Sequence, residues 1–342
     1  MSIYTVKKVP VSEVDKLVSF IDNHWKKGHA LVKSRELLDF QHLNKEDGTY
    51  NFIVAENNET KEYDALVGFI PTSQYDRQLA ENGDYWGAIW KCRDDVNNDE
   101  INNVAFYIWK RIFKQPFFHS YAAIGISQIA KRIYEVSRIP VAVLNQYYIA
   151  NEGIVNFEIG SNLQKGNSIF STKKSTVREI DIESIDNKDI TGIYKPLKTV
   201  EYLKNRYKNH PIYHYEFWGV YSEKLAAIFV IRKVNVGSSC ILRVIDVLGD
   251  LSLCGNIFDD VQIILAQNKA EYLDIMNYGI SPEVFSNMGF YKLDLTQDDT
   301  ILPNYFEPFE KRNVAIEVAY KTQDGYYIAF KGDSDQDRPN LL

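Results

Sequence analysis

The stretch FFHSYAAIGISQIAKRIYEVSRI, residues 117–139, predicts a strand, a glycine turn and a helix in immediate succession. The apolar run at 121–124 is typical of a short interior strand. Ser127 follows the turn at Gly125, and its hydroxyl can accept a hydrogen bond from an unpaired amide of the first helical turn. We therefore expect a buried strand that ends where a capped helix begins.

The helix of this stretch is predicted to carry its apolar side chains on one face. Ile126, Ile129, Ala130 and Ile133 recur at the spacing of a helical face. Tyr134 stands at the edge of that face, pointing back toward the sheet. The pattern predicts a helix packed against the sheet, with one phenol at its boundary.

This arrangement resembles the fifth strand and following helix of the GNAT acyltransferases, which hold acyl-CoA beside that strand. Ala130, Ile133 and Tyr134 match the Ala-x-x-Ile-Tyr pattern of the family. Residues 138–139, Arg-Ile, depart from the usual Gly-Phe. The resemblance implies that Tyr134 protonates the departing CoA thiolate and that Ser127 lies against acyl-CoA.

A second copy of the pattern occurs at residues 278–293, YGISPEVFSNMGFYKL, where Gly-Ile-Ser again marks the turn. Phe285 stands at the place of the phenol, and a phenyl ring cannot donate a proton. We therefore predict an α/β fold, with mixed sheets of the α+β kind, made of two tandem GNAT-like acyltransferase domains. The expected division is a catalytic, acyl-CoA-binding domain at 1–150, a linker at 151–175, and a domain at 176–342 that helps to bind the acceptor.

Composition and charge are those of an ordinary globular protein. The length of 342 residues suggests about two domains, and the net charge of −7 argues against a general nucleic-acid surface, which would be basic. No apolar stretch approaches the roughly 18 residues needed to span a bilayer. Cys92, Cys240 and Cys254 have neither metal-site nor disulfide spacing. We expect a cytoplasmic monomer or weak dimer that acts on small molecules, without metal, nucleic acid or membrane span.

The strand predicted at 85–92 leads into a loop that, in the resembling family, binds the CoA diphosphate on backbone amides at a helix start. The glycines of the family motif are missing here, and Asp94 and Asp95 would repel a diphosphate. Lys91 and Arg93 are the cations placed to offset them. The residues expected to bind acyl-CoA by this resemblance are Lys91, Cys92, Arg93, Asn102, Ser127 and Ala130.

Five segments resemble the tandem-GNAT sugar N-acyltransferases of bacterial surface-polysaccharide gene clusters. They are NHWKKGHAL (23–31), LLDFQHLN (37–44), LVGFIPTSQYD (66–76), LRVIDVLGD (242–250) and GDSDQDRPN (332–340). The resemblance implies transfer of an acyl group from acyl-CoA to the amine of a dTDP-linked amino-deoxy sugar, for lipopolysaccharide O-antigen or capsule synthesis. It also implies that the second domain helps to bind the sugar nucleotide.

Acyl transfer to an amine needs a proton acceptor for the amine, a hydrogen-bond donor for the oxyanion and an acid for the thiolate. His29 is predicted as the base, because histidine titrates near neutral pH and its segment borders the acceptor mouth in GNAT folds. A backbone amide of the strand at 85–92 is the expected oxyanion donor. Tyr134 is the expected acid.

A dTDP sugar requires aromatic faces that stack on thymine and cations that bind the diphosphate. Carboxylates are suited to the sugar hydroxyls or the amine. The candidates for substrate binding are His24, Trp25, Trp86, Tyr215, Trp218, Arg243, Asp246, Asp333 and Arg338.

Two alternative functions stay open. An aminoacyl transferase of the tandem-GNAT peptidoglycan type takes its acyl group from charged tRNA, but the sequence has neither a basic face nor a helical-hairpin arm. A non-catalytic nucleotide-sugar-binding protein is favoured by the degenerate diphosphate loops of both predicted domains. The amino sugar and the acyl chain are not identified by the sequence.

Overall fold

The computed structural model describes residues 3–96, 100–167, 173–297 and 299–340, which form two large mixed sheets with helices packed against them. The strands β1 to β18 are, in chain order, Tyr4–Pro10, Leu43–Asn44, Thr49–Asn57, Tyr63–Pro71, Asp84–Cys92, Ser120–Ile124, Val141–Val143, Asn145–Ala150, Thr176–Glu179, Glu216–Tyr221, Leu225–Val236, Ser239–Gly249, Ala270–Tyr278, Tyr291–Lys292, Tyr305–Phe306, Phe309–Glu310, Glu317–Thr322 and Ala329–Phe330. The helices α1 to α8 are Val14–Phe20, Ala30–Lys33, Arg35–His42, Ile101–Lys110, Gln128–Val136, Val200–Leu203, Phe258–Asn268 and Pro282–Asn287.

The helices are short. Wide π-type turns at Ile21–Trp25 and Lys204–Lys208 extend α1 and α6. The residue pattern of the sequence predicts short helices at 187–193 and 199–208. The second is confirmed, but the first is wrong, since a turn and irregular chain occupy that range. Gly192 and the nearby Pro196 both disfavour a helix there. Within the described ranges, no helix is both long and apolar enough to cross a membrane.

The first sheet has the strand order β1-β3-β4-β5-β6-β17-β7, with β2 paired to β3. Helices α1, α2 and α3 cover one face, where Leu17, Leu31 and Leu38 pack on Phe52. Helices α4 and α5 cover the other face with a second apolar cluster. The alternation of side chains along β3 and β4 places one apolar set on each face, as a sheet covered on both sides requires.

The second sheet has the order β14-β8-β13-β12-β11-β10-β9, with β18 added to β13. Helices α7 and α8 pack on it through Phe258, Leu265 and Phe285. A further apolar cluster joins the two sheets, with Ile70 and Trp86 from the first and Ile245 from the second. The two sheets therefore share a core, and the candidate site lies along it.

The residue pattern at 141–150 predicts one continuous strand, and this prediction is wrong as a single element. The chain leaves the first sheet after β7 and enters the second as β8, crossing at Leu144, which is buried between them. Strand β17, which comes late in the chain, lies in the first sheet between β6 and β7 and is antiparallel to both. Each sheet thus contains a strand from the other half of the sequence. The domain division at residue 150 stays a prediction.

The stretch at 117–139 forms the predicted strand β6 and helix α5. The Ser127 hydroxyl accepts from the Ala130 amide at 3.2 Å, so the predicted helix cap is confirmed. The predicted apolar face is wrong at Ile129, which is 74% exposed. Helix α5 lies on the sheet with Tyr134 at its most buried position, and this orientation turns Ile129 toward solvent.

Candidate active site

Strands β5 and β6 are parallel neighbours that pair only near their starts. Residues 84–86 pair with residues 120–122, and the ladder ends there. Beyond this point the two strands are unpaired, and we call the space between them the gap. On the other side of β5, Gly68 faces both Ala88 and Ile89, which makes a β-bulge. A bulge leaves an extra residue out of the ladder and often lies next to an active site. Strand β5 therefore presents backbone groups of irregular register beside the gap.

The second sheet repeats this geometry. The parallel pairing of β12 with β13 ends at Val244 and Ile275. Ile245 is an extra residue of β12 opposite the antiparallel neighbour β11, and it forms the corresponding bulge. Strand β5 of the first sheet and strand β12 of the second are thus both bulged beside a parallel neighbour, and both face a common core.

One segment, residues 331–338, contacts both bulged strands, and we call it the seam segment. The Gly332 amide donates to the Ile245 carbonyl at 2.8 Å. The Ser334 hydroxyl donates to the Gly87 carbonyl, next to the other bulge, at 2.5 Å. A Cβ at Gly332 would lie 2.3 Å from the Ile245 side chain, so glycine is needed for this approach. The seam segment therefore fills the space between the two gaps.

A buried ion cluster attaches the seam segment to β12 and to the chain around α6. The Lys198 ammonium lies 2.5 Å from an Asp246 oxygen and 2.6 Å from an Asp333 oxygen. The Tyr207 hydroxyl donates to the other Asp246 oxygen at 2.8 Å. Burial raises the pKa of Asp333, and the Lys198 charge opposes that rise. Breaking such a cluster is costly, because it leaves buried charges without compensation.

The buried guanidinium of Arg206 holds the backbone of the seam segment. It donates to the carbonyls of Gly332 and of Ser334, the latter at 2.6 Å, and to the Tyr202 hydroxyl at 2.7 Å. It also lies 5.2 Å from the centre of the Trp86 ring. Arg206 thus fixes the seam segment against the strand that carries the first bulge.

Asp335 is the carboxylate of the seam segment nearest to the first sheet. It is 5% exposed and accepts a hydrogen bond from Arg338. Burial acts to raise the pKa of the Asp335 carboxyl, but Arg338, the two nearby histidines and a hydrogen bond from Gln336 together outweigh it, so the pKa is lowered. His29 and His42 lie close enough to interact electrostatically with Asp335. Asp335 is therefore an ionised carboxylate inside the protein at neutral pH.

The two histidines near Asp335 differ in tautomer. The Nδ1 atom of His29 accepts from the Leu31 amide at 3.3 Å, so the proton of the neutral ring is on Nε2. The Nδ1 atom of His42 lies 3.3 Å from the Phe69 carbonyl and must donate to it, which leaves a lone pair on Nε2. Burial lowers the pKa of each ring to about 4. His29 is therefore a donor at Nε2 rather than the predicted base.

Four buried polar atoms in this region have no hydrogen-bond partner among the described residues. They are His29 Nε2, Gln41 Oε1, His42 Nε2 and Arg338 Nε. Gln41 and Asp335 also line a small cavity of about 10 Å³, which is about the room that one water needs. Buried polar groups are nearly always paired, so these atoms mark a place where a ligand or water is expected.

The predicted acid, Tyr134, lies within the core of the first sheet. It is 2% exposed, and its hydroxyl lies 3.0 Å from that of Tyr121. Tyr121 is the one that reaches the gap, since a Cβ at Gly87 would be 2.2 Å from its hydroxyl. Burial raises the pKa of both phenols, so both are protonated at neutral pH. The phenol next to β5 is therefore Tyr121, with Tyr134 behind it.

The two cations predicted to bind the CoA diphosphate already have acidic partners. Lys91 lies 2.6 Å and 2.7 Å from the two Asp94 oxygens. Arg93 makes a two-fold contact with Asp95, at 2.9 Å and 2.8 Å. Residues 97–99 of this predicted loop lie outside the described residues. Neither cation is thus available to a diphosphate without first releasing a carboxylate.

The other residues predicted to bind acyl-CoA lie around α4 and α5. Asn102 is exposed on the first turn of α4. Cys92 ends β5, and burial raises the pKa of its thiol. Ala130 is half-buried on α5, near the cap that Ser127 forms. Asn102, Cys92, Ala130 and Ser127 thus lie around the apolar cluster that α4 and α5 form with the first sheet, and not at the seam segment.

Five of the predicted substrate-binding residues gather at the seam segment. Asp333 and Arg338 belong to it. Asp246 is part of the buried ion cluster, and Trp86 lies beside the Arg206 guanidinium. Tyr215 donates to Asp337 at 2.6 Å. The predicted base His29 joins them through its interaction with Asp335. These six predicted residues therefore lie together in the structure, and their roles stay predictions.

The remaining predicted substrate-binding residues lie elsewhere. His24 and Trp25 are in the π-type turn after α1, where Trp25 is 42% exposed. Trp218 is buried in the core of the second sheet. Arg243 is held by Asp274 at 2.9 Å and 2.5 Å. The arrangement does not bring these four to one surface.

The sequence analysis missed the polar residues that surround Asp335. Gln41 and His42 follow Leu37 and Leu38 at a spacing of four, so they lie on the buried face of α3. Two polar residues on an apolar helical face were a signal that could have been used. Arg206 and Lys198 gave no such signal, because their partners in the seam segment are more than a hundred residues away.

Two mixed sheets, each with a bulged strand beside a parallel gap, give the chain a GNAT-like fold, as the sequence predicted. No family model matches the chain, and no curated protein matches it. Among solved structures, the GCN5-related N-acetyltransferase from Anabaena variabilis has a TM-score of 0.54 at 9% identity, covering 92% of this chain and 72% of its own. That from Kribbella flavida has a TM-score of 0.50 at 9% identity, covering 94% and 71%. At such identity the likeness shows the fold alone.

Proposed function

We propose that the protein is an acyl-CoA-dependent N-acyltransferase whose acceptor is the amine of an amino sugar. The observation that carries this proposal is the ionised Asp335 carboxylate, held by the seam segment next to the bulged strand β5. The unpartnered polar atoms around it support a ligand-binding role. The fold shared with N-acetyltransferases supports the reaction class.

In the proposed reaction the amine nitrogen attacks the thioester carbonyl, a C–N bond forms and the C–S bond breaks. Asp335 accepts the proton that the amine loses. The Nε2–H of His29 and an amide of the bulge at 88–89 stabilise the oxyanion. The CoA thiolate leaves with a proton from Tyr121, which Tyr134 supports through its own hydroxyl.

A dTDP-linked amino-deoxy sugar, as used in O-antigen or capsule synthesis, is the narrower acceptor implied by the sequence resemblance. A nucleotide needs an aromatic face and a cation, and Trp86 and Arg338 lie at the seam segment, but Trp86 is buried and Arg338 is paired with Asp335. Trp218 and Arg243 were predicted for the same roles, but Trp218 is buried in the core of the second sheet and Arg243 is paired with Asp274. The geometry thus supports an amine acceptor more strongly than a nucleotide.

The proposal is tested by measuring thiol release from a panel of acyl-CoAs in the presence of amino sugars. Asp335→Asn removes the proton acceptor with little change of shape, and we expect kcat to fall about 100-fold or more. The matched control is Asp15→Asn on the exposed side of α1, which should leave kcat unchanged. An Asp335→Asn variant of full activity would contradict the proposed role of Asp335.

A non-catalytic nucleotide-sugar-binding protein is the second candidate function. It is favoured by the ion pairs that occupy Lys91 and Arg93, the predicted diphosphate contacts. Calorimetry with CoA separates the two candidates. Saturable binding of CoA supports the transferase, whereas binding of a nucleotide sugar without any binding of CoA supports the second candidate.

A further inference from the structure

A broad cleft lies between the first sheet and the first helix of the second half. Its volume is about 1140 Å³. One wall comes from α3 and the two 3₁₀ helices that follow β4, with Phe40 and Tyr75 at its inner end. The other wall comes from α6 and the turn after it, through Glu201 and Asn205. A cleft of this size can hold a mono- or disaccharide.

The cleft is acidic. Its walls carry two cations, Lys45 and Arg77, and Arg77 is itself paired with Glu46 at 3.2 Å. The carboxylates that line it are Glu36, Asp39, Glu46, Asp76 and Glu201. The excess of carboxylates favours a cation and opposes a phosphate.

The cleft is also rich in carboxamides, which suit hydroxyl groups because each amide has both donors and an acceptor. Several already contact one another, as Asn51 does with Gln74 at 3.1 Å, and so are held in fixed positions. The carboxamides that line the cleft are Asn44, Asn51, Gln74, Gln78, Asn187, Asn205 and Asn209.

The inner end of the cleft adjoins the candidate active site. Phe40 and Tyr75 line both the cleft and the small cavity that contains Asp335. Their rings pack at 5.4 Å and stand between the two spaces. In the small cavity Gln41 is 4% exposed, and its Oε1 has no partner within the described part of the chain. This buried acceptor lies beyond the two rings, and it indicates that a donor, such as an amine or hydroxyl, belongs in the small cavity to which the cleft leads.

We propose that this cleft binds the acceptor as a protonated, hydroxyl-rich amine without phosphate, that is, a free amino sugar rather than a nucleotide-linked one. The inference rests on the proposed function and narrows its substrate class. The carboxylates hold the ammonium and the carboxamides hold the hydroxyls, and the amine must pass the rings of Phe40 and Tyr75 to reach Asp335 for the transfer. A nucleotide diphosphate would face carboxylates on both walls, and this repulsion excludes it.

The proposal is tested by calorimetry on the full chain without acyl-CoA, using D-glucosamine, glucose and dTDP-glucose as probes. We expect D-glucosamine to bind, glucose to bind more weakly and dTDP-glucose to bind weakest. The affinity for D-glucosamine should fall as salt is added, because screening weakens the attraction between charges. Absence of D-glucosamine binding, or equal or tighter binding of dTDP-glucose, would overturn the proposal.

Two variants locate the binding to the cleft. Glu36→Gln and Glu201→Gln keep the shape and remove one charge from opposite walls, and each should weaken D-glucosamine binding about fivefold. Glu223→Gln, in an exposed turn remote from the cleft, is the matched control and should bind as the wild type does. Unchanged affinity in both wall variants would place any binding elsewhere and overturn the proposal.

This test does not depend on catalysis. A protein that binds D-glucosamine in the cleft but releases no thiol with any acyl-CoA would refute the transferase and leave the acidic cleft as a binding site. A protein that acylates a dTDP-linked sugar and does not bind D-glucosamine would support the transferase and refute the cleft proposal. The two proposals therefore fail on different observations.

Discussion

His42 is fully buried on α3, and burial lowers its pKa to about 4 from an ordinary value of 6.5. The unfolded chain therefore binds a proton at a higher pH than the folded protein does. Between pH 6.5 and pH 4 this difference favours unfolding as the pH falls. We expect His42 alone to reduce the free energy of unfolding by roughly 3 kcal/mol by pH 4.

Urea denaturation at several pH values checks this expectation. The variant His42→Asn should show a smaller loss of stability between pH 6.5 and pH 4 than the wild type. His214→Asn, at an exposed position, should follow the wild-type pH dependence. If the His42→Asn and wild-type curves fall in parallel, His42 is not buried in its neutral form.

The two phenols near the first gap allow a matched comparison, because Tyr121 and Tyr134 bond to each other. Tyr121→Phe and Tyr134→Phe remove the same hydrogen bond, so each should cost about 1–3 kcal/mol of stability. Only Tyr121 reaches the backbone of β5 at Gly87. We expect Tyr121→Phe to lower kcat about 100-fold and Tyr134→Phe less than tenfold. A larger loss for Tyr134→Phe would make Tyr134 the acid, as the sequence predicted.

At the scale of elements, the seam segment is expected to contribute strongly to stability. A chain that stops after residue 331 loses Asp333, one of the partners of Lys198, and both carbonyls that bind Arg206. We expect the free energy of unfolding to fall by at least about 3 kcal/mol, since buried charges lose their compensation. Chemical denaturation measures the change.

A chain that stops after residue 338 is the matched control for this truncation. It keeps every contact of the seam segment described above and should be nearly as stable as the full chain. Equal stability of the two shortened chains would mean that the seam segment adds little to the fold.

The elements that the sequence predicted well are those defined by neighbouring residues. Strand β6, its turn and helix α5 follow from the apolar run, the capping serine and the helical spacing at 117–139. Similar local signals predict a helix near 34–43 and strands at 51–55 and 65–70, which the structure has as α3, β3 and β4. Local patterns succeed where hydrogen bonds and packing join residues that are close in sequence.

The elements that the sequence did not predict depend on distant partners. Strand β17 pairs with β6 across nearly two hundred residues, and its own residue pattern does not indicate which strand it pairs with. Residues 332–338 are polar and read as a surface segment, but Lys198, Arg206 and Arg232 pair with them and allow burial. A polar sequence can thus form part of a core once its charges are compensated.

For the whole molecule, the exchange of strands predicts that neither half folds well alone. A fragment of residues 1–150 lacks β17, which leaves the facing edges of β6 and β7 unpaired. Exposed edges of apolar strands promote aggregation. We expect the fragment to be mostly insoluble and its soluble part to give a poorly dispersed amide NMR spectrum.

A fusion that adds residues 314–324 to this fragment through a flexible linker is the matched control. It supplies β17 and should increase the soluble yield and the dispersion of the spectrum. A well-dispersed spectrum from residues 1–150 alone would show that β17 is dispensable for the first sheet.

The position of β17 also bears on how the protein is made in the cell. During synthesis the first sheet has every strand but β17 for as long as the ribosome takes to add the following one hundred and more residues. Until β17 is made, β6 and β7 lack the strand that pairs with both of them. A chaperone that shields strand edges would protect the nascent chain from aggregation in that interval. Slowing translation between residues 150 and 317 should then lower the yield of active protein.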